Sequence, residues 1–305
     1  MPFQSIFKEN LFADRTIVVT GGGSGIGRCS AHELASLGAN VILIGRKTEP
    51  LKKTVEEIEA DGGNAEWATC DIRDADAVEQ RVEDLVDRHG VIHGLFNNAG
   101  GQFPSPLEEI SSKGFETVVR TNLTGGFHMM RAVYRRSMQK HGGAIVNMLA
   151  DMWGGMPGMA HSGAARAGMA NLTRTAAVEW AKSGVRVNAI APGWIASSGL
   201  DTYEGAARAL IPMLEKSVPL KRLGRESEVS AAVVFLLSDA ASFISGELMR
   251  VDGAGSLGGR IWPLADHDRS EPFDAFHRSV LPEVLKGANR EDAKFAKRRS
   301  NEDSE

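Results

Sequence analysis

Two tyrosines and two cysteines are all that 305 residues contain of either type, and each scarcity narrows the chemistry. Cys29 and Cys70 lie far apart, in a helix-like and a strand-like segment. Two small core thiols in a reduced compartment are expected, with a disulfide permitted but not required. Tyr134 and Tyr203 are the sole sources of a phenol. Charge of one sign is also missing: the formal net charge is -4 and the isoelectric point near 6.1, which supplies no basic field for nucleic acid or an anionic membrane. No segment reaches the roughly 18 consecutive apolar residues of a membrane span, and Met1 to Leu11 lacks the charged head and apolar run of a signal peptide. A soluble, cytoplasmic protein without a metal site is the expectation. The sequons at Asn122 and Asn171 then carry no meaning.

What is present is an alternation. Short β-branched or apolar runs occur at Thr16 to Thr20, Val41 to Ile44, Glu66 to Cys70, Gly94 to Asn97, Ala144 to Met148, Val185 to Ile190 and Glu247 to Val251, with amphipathic stretches between them. This predicts an α/β fold of the Rossmann type, a doubly wound parallel seven-stranded sheet with helices on both faces. The first helix is expected over Arg28 to Leu37, stopped by Gly38. The second is expected from Thr48 as N-cap, with Glu49 and Pro50 in its first turn, to Gly62-Gly63. Residues 1–259 read as one domain. Beyond them Pro263, Pro272 and Pro282 interrupt the pattern and Arg290 to Glu305 is almost wholly polar. Residues 260–305 are therefore expected to pack over the core or an oligomer partner and then fray.

Between the first strand and first helix lies Thr20-Gly21-Gly22-Gly23-Ser24-Gly25-Ile26-Gly27. Backbone N–H groups and a helix N-terminus there suit a pyrophosphate: Gly21 permits the turn, Gly25 close approach, and Gly27 helix–strand packing. Where an NAD-binder places a carboxylate for the ribose hydroxyls, this chain has Gly45 followed by Arg46 and Lys47. A guanidinium pairs with a 2′-phosphate, so NADP(H) is favoured, against the alternative of a solvated charge pair at a strand end. Asp71, with Ile72 beside it, stands where the adenine would lie, although aspartate at a strand end is also ordinary turn chemistry.

Asn97-Asn98-Ala99-Gly100, Thr121-Asn122-Leu123-Thr124-Gly125 and Pro192-Gly193 join this turn in the order seen in short-chain dehydrogenases/reductases, which the chain resembles. The stretches Gly100 to Pro106, Ile110 to Phe115 and His161 to Gly168 more closely resemble the peroxisomal trans-2-enoyl-CoA reductases, over most of residues 12 to 268. The chain ends Asp303-Ser304-Glu305, without their terminal tripeptide. The resemblance implies that Asn98, Ala99 and Gly100 flank the adenosine ribose and that Pro192, Gly193 and Ile195 position the nicotinamide carboxamide. It also implies a substrate lid around 195–222 and a homodimer or homotetramer through helices around Asn122 and Thr173.

One departure decides the expected reaction. The superfamily's tyrosine, the lysine four residues later and the serine thirteen before read here Ser162, Arg166 and Leu149. Carbonyl reduction needs a proton at oxygen, and neither a free hydroxyl nor a guanidinium gives one up near neutral pH. Reducing the C=C of an enoyl thioester needs donors for an enolate oxygen instead. The expectation is NADPH-dependent reduction of a trans-2-enoyl-CoA, with Ser162 and Asn122 at the thioester oxygen and Arg166 on the nicotinamide ribose. Structural alternatives stand beside these roles: Ser162 as a helix cap and Asn122 as the holder of a helix bulge. Water or Tyr203, from the lid, would supply the proton to carbon; Tyr203 otherwise packs in the lid. Asp151 and His161 read as exposed and packing residues rather than acids. Met148, Met152, Met156, Met159 and Met169 suit either an acyl pocket or an irregular core. Arg222 and Arg225 are available to CoA phosphates. Two other functions stay open: a dehydrogenase of a terpenoid or long-chain alcohol, and a catalytically silent NADP-binding protein.

Overall fold

The structure, a computed structural model, describes residues 2–257 and 265–286. Strands β1 (Thr16–Thr20), β2 (Asn40–Gly45), β3 (Asn64–Thr69), β4 (Gly94–Asn97), β5 (Gly143–Met148), β6 (Val185–Pro192) and β7 (Leu248–Val251) form one all-parallel sheet in the order β3-β2-β1-β4-β5-β6-β7. Parallel neighbours require crossovers, and these are helices: α1 (Gly25–Ser36), α2 (Thr48–Ala60), α3 (Ala75–His89), α4 (Ser112–Val119), α5 (Gly125–Val133), α6 (Ala160–Glu179) and α7 (Glu226–Leu237). Alternate strand residues divide the core into two layers. Ile17, Val19 and Leu43 pack with Leu34, Leu51, Ile58 and Val233 of α1, α2 and α7. Val18, Ile42 and Leu95 pack with Val82, Met129, Val133 and Met169 of α3, α5 and α6. Among the described residues no helix is long and apolar enough to cross a membrane.

Several boundaries differ from expectation. β2 and β3 start at the polar pair Asn40 and Asn64, which face each other across the ladder; backbone pairing continues where the apolar pattern stops. α1 begins at Gly25 rather than Arg28, because the last glycines of the turn form its first turn. Thr48 is the first residue of α2, not its cap; Lys47 is the N-cap and no side chain bonds there. Pro50 sits in the first turn, where its missing N–H costs nothing. Between α4 and α5 the chain makes a π-turn over Arg120–Thr124, which lifts Asn122 out of regular helical register.

The described part of the extension lies on the core. Phe276 is buried with Phe3 and Cys29, and Ser227 Oγ donates to the carbonyl of Phe273. His277 and Arg278 bond Asp61 at the end of α2, at 2.8 and 2.8–2.9 Å. At the far end the N–H groups of Glu283 and Val284 donate to the Asp201 carboxylate at 3.1 Å each. Val284 and Leu285 pack on Ala196, Leu200, Ile211 and Leu223. The end expected to fray, from Arg290, lies outside the described residues.

Candidate active site

The strand order reverses between β1 and β4, so a crevice opens beyond their carboxyl ends. The glycine turn fills its floor. A Cβ on Gly27 would lie 2.4 Å from the Gly21 carbonyl oxygen and 2.5 Å from Asn98 Nδ2, so only hydrogen fits. Asn98 Nδ2 donates to the Thr20 carbonyl at 2.9 Å and Thr20 Oγ1 accepts from the Ala99 N–H at 2.9 Å, which ties the end of β4 to the turn. Gly25, with φ +55°, is open on its far side, where a Cβ would find Glu226 Oε1 nearest, at 3.8 Å. Ser24 precedes the helix without making a cap bond. A glycine floor, an uncapped twelve-residue helix and free N–H groups fit the diphosphate of a dinucleotide. Burial pushes the Glu226 carboxyl up to about 7, with Arg28 opposing.

At the sheet's β3 side Arg46 is exposed directly after Gly45. A cleft of about 490 Å³ is lined by Asp71, Arg73, Asp74, Ala75, Thr117 and Arg120. The Asp71 carboxylate, expected free for an adenine amine, is already forked by Arg73 at 2.5 to 3.1 Å and is held down at about 2 by that guanidinium, with Arg46 adding to the effect. Ile72 is buried against Gly125, where a Cβ would meet its Cγ1 at 2.6 Å, and its carbonyl accepts from His128 Nδ1 at 3.1 Å. On the nicotinamide side, Gly193 packs so closely on Asp252 that a Cβ would lie 2.8 Å away. Its N–H donates to the Val251 carbonyl at 3.0 Å. Ile195 bridges to Gly224, which fixes the chain after Pro192 from behind.

The centre of the site departs from expectation. Asn122 makes two bonds to one residue, accepting from the Gly101 N–H at 2.8 Å and donating to the Gly101 carbonyl at 2.9 Å. Its expected place at a substrate oxygen is thus taken by the loop after β4. Gly100 is packed against both cationic and amide groups, a Cβ there meeting Arg166 Nη2 at 2.6 Å and Asn122 Oδ1 at 2.8 Å. Arg166 is buried, donates from Nη1 to the Met148 carbonyl at 2.5 Å and has no partner on Nε. No carboxylate among the described residues pairs with it, and burial brings it down to about 10. Leu149 lies in the core, so no hydroxyl stands at that position.

Ser162 is the third residue of α6, not its cap, and it is wholly buried. Its Oγ donates to Gln102 Oε1 at 2.6 Å, and Gln102 Nε2 donates to the Tyr203 hydroxyl at 3.1 Å. Tyr203 in turn lies 3.8 Å from Met159 Sδ. Ser162, Gln102 and Tyr203 are thus brought together from α6, the loop after β4 and the segment after β6. Gln102 was not among the expected site residues, although it lies within the stretch Gly100 to Pro106 that carries the family resemblance. His161 is buried, accepts from the Ser162 N–H at Nδ1 at 2.8 Å and sets its ring edge-on to Phe103 at 4.5 Å. Burial and Asp252 raise the Asp151 carboxyl. The methionines do not line one pocket: Met148 and Met169 are core residues, Met156 packs on Gly163, and Met159 meets Tyr203. Arg222 is forked to Glu228 at 2.7 and 2.8 Å, which withdraws it from CoA phosphates.

A doubly wound parallel sheet whose crevice pairs a phosphate-sized glycine floor with a cluster of polar donors defines a dinucleotide-dependent oxidoreductase. The family described as Enoyl-(Acyl carrier protein) reductase matches residues 21–255. A relative named Probable 2,4-dienoyl-CoA reductase, (2E)-enoyl-CoA-producing, from Bacillus subtilis (strain 168) is 39% identical over 247 residues, which is 78% of this chain and 95% of that one. A solved structure named citronellol catabolism dehydrogenase (AtuB), from Pseudomonas aeruginosa PAO1, is 62% identical with TM-score 0.76, covering 83% of this chain and 100% of that one. A solved structure from Beutenbergia cavernae with NADP bound at low occupancy is 34% identical with TM-score 0.76, covering 82% and 100%. The chain belongs to this family of the short-chain dehydrogenase/reductase superfamily, NAD(P)-dependent oxidoreductases.

Proposed function

We propose that the protein reduces the C=C bond of a trans-2-enoyl-CoA to the saturated acyl-CoA with NADPH. The observation that carries this reading is the make-up of the oxygen side: buried Ser162 bonded to Gln102, Arg166 close by, and Leu149 in the core. Neutral donors and a cation suit an oxygen that gains charge but not a proton. A carbonyl that becomes an alcohol needs an acid at that oxygen. The family description supports reduction of an enoyl thioester; the Bacillus subtilis relative is named for C=C reduction of a dienoyl-CoA, whose named product, a (2E)-enoyl-CoA, is the substrate proposed here.

Gly21, Ser24, Gly25, Ile26 and Gly27 hold the diphosphate, and Arg46 pairs with the 2′-phosphate, which selects NADPH over NADH. Asp71 and Ile72 border the adenine, Asn98, Ala99 and Gly100 the adenosine ribose, and Pro192, Gly193 and Ile195 the carboxamide. Bound NADPH supplies the hydride that adds to Cβ. Arg166, a buried cation without a carboxylate partner among the described residues, holds the nicotinamide ribose and places positive charge near the thioester. Asn122 acts one step back, fixing the loop that carries Gln102. Cα takes its proton from water or from Tyr203, the phenol nearest the cluster. A homodimer or homotetramer in the cytoplasm completes the reading.

A second reading, oxidation of a terpenoid or long-chain alcohol, is favoured by the Tyr203 phenol on Gln102 and by the 62% identity to the citronellol catabolism dehydrogenase. Purified protein incubated with NADPH and, in parallel, trans-2-enoyl-CoA, a 3-oxoacyl-CoA or citronellal separates them. Enoyl turnover alone supports the proposal, and aldehyde turnover alone supports the second reading. Tight NADPH binding without turnover identifies a silent protein.

A further inference from the structure

The short side chain at position 162 leaves the oxygen side of the site to a residue sixty positions away. The Ser162 hydroxyl is committed to Gln102 Oε1 at 2.6 Å, and both polar atoms of Asn122 are committed to Gly101 at 2.8 and 2.9 Å. Ser162 has no second proton to donate, and Asn122 is buried with its amide turned to Gly101. Gln102 is exposed, and its amide nitrogen has two N–H groups, of which the Tyr203 hydroxyl takes one at 3.1 Å. We propose that Gln102 is a catalytic residue, donating its second Nε2–H to the thioester oxygen as negative charge collects there. This rests on the enoyl-CoA reading.

The neighbouring contacts explain how a loop glutamine serves as a preorganised donor. Asn122 pins Gly101 at both its N–H and its carbonyl, so the next residue leaves a fixed backbone. Ser162 donates into the amide oxygen, which polarises the group and leaves its nitrogen on the side of Tyr203. Serine and glutamine in series reach one hydrogen bond beyond a lone serine. In the step itself, hydride adds to Cβ, the C=C electron pair moves toward the thioester, and the carbonyl becomes an enolate. As the C=O re-forms, Cα takes a proton from water or from the Tyr203 phenol. Gln102 stabilises the enolate by a hydrogen bond and transfers no proton; Ser162 and Asn122 are positioning residues.

The test is steady-state reduction of trans-2-decenoyl-CoA with NADPH by the full chain and its variants. Gln102→Met keeps the length of the side chain and removes the donor; it should lower kcat about 10²-fold, with NADPH affinity by fluorescence titration unchanged. Gln102→Glu should lose at least as much, and more as rising pH ionises a carboxylate beside the enolate. Ser162→Ala loses only polarisation and orientation, about tenfold or less, and adding it to Gln102→Met should cost nothing further. The inference is overturned by a Gln102→Met kcat within about twofold of the wild type, or by Ser162→Ala proving the more damaging change. It is overturned equally by a Gln102→Met protein that no longer binds NADPH, since the residue is then structural. A wild-type enzyme inert toward enoyl-CoA removes the parent reading and this one together; an active wild type with an indifferent Gln102 removes this one alone.

Discussion

Glu226 couples the stability of the fold to pH through the edge of the cofactor site. It opens α7 with 9% of its surface exposed, beside the glycine turn, and faces Arg28 and the Cys29 thiol. Burial raises its carboxyl from 4.5 to about 7. A carboxyl that binds its proton more tightly when folded favours the folded state while protonated. That contribution is full below the unfolded value of 4.5 and is lost as pH rises through about 7. The gap corresponds to about 3 kcal/mol. Glu226→Gln keeps the shape and removes the charge. Urea unfolding should show the variant more stable than wild type by up to about 3 kcal/mol near pH 8, with the gap narrowing as pH falls and closing below the unfolded value of 4.5. A diphosphate bound at the same turn adds a like charge, so wild-type NADPH affinity should fall across this window while the variant's stays flatter. A stability difference that does not change with pH would refute the assignment.

Gly100→Ala forces a methyl group against Arg166 Nη2 and Asn122 Oδ1; it should cost about 1–3 kcal/mol in urea unfolding and weaken NADPH binding. Asp201→Ala releases the Glu283 and Val284 N–H groups that tie the extension to the segment after β6. NADPH dissociation followed by stopped-flow fluorescence should then accelerate by about threefold, and an unchanged rate rejects a role for this tie in closing the segment after β6 over the cofactor. Arg46→Asp should shift the ratio of kcat/KM for NADPH over NADH by at least about tenfold toward NADH. A constant ratio rejects the 2′-phosphate contact.

How far the sequence reached is clearest at particular residues. Val18, Ile42 and Leu95 are apolar and fully buried inside a sheet covered on both faces, so their runs identify strands without further information. The glycine turn was equally legible, because a left-handed φ at Gly21 and the clash at Gly27 are local demands on residue type. Asn40 and Asn64 were not legible as strand starts, since they are held by backbone pairing that their side chains do not announce.

The candidate site divides along the same line. Substitution of the usual tyrosine, lysine and serine by Ser162, Arg166 and Leu149 was determined by sequence alone, and with it the expectation of an oxygen side built from donors. Tertiary structure decided which groups stand there. A π-turn, invisible to any apolar period, aims Asn122 at Gly101. Gln102 and Ser162 meet across sixty positions, and Arg222 is drawn to Glu228. Whether residues 265–286 cover their own core was likewise decided by Asp61 and Asp201, at two distant points of the chain. Periodicity and steric limits act on neighbours in sequence and are written there; a hydrogen bond between distant side chains depends on separations of tenths of an ångström, which exist only once the backbone has folded.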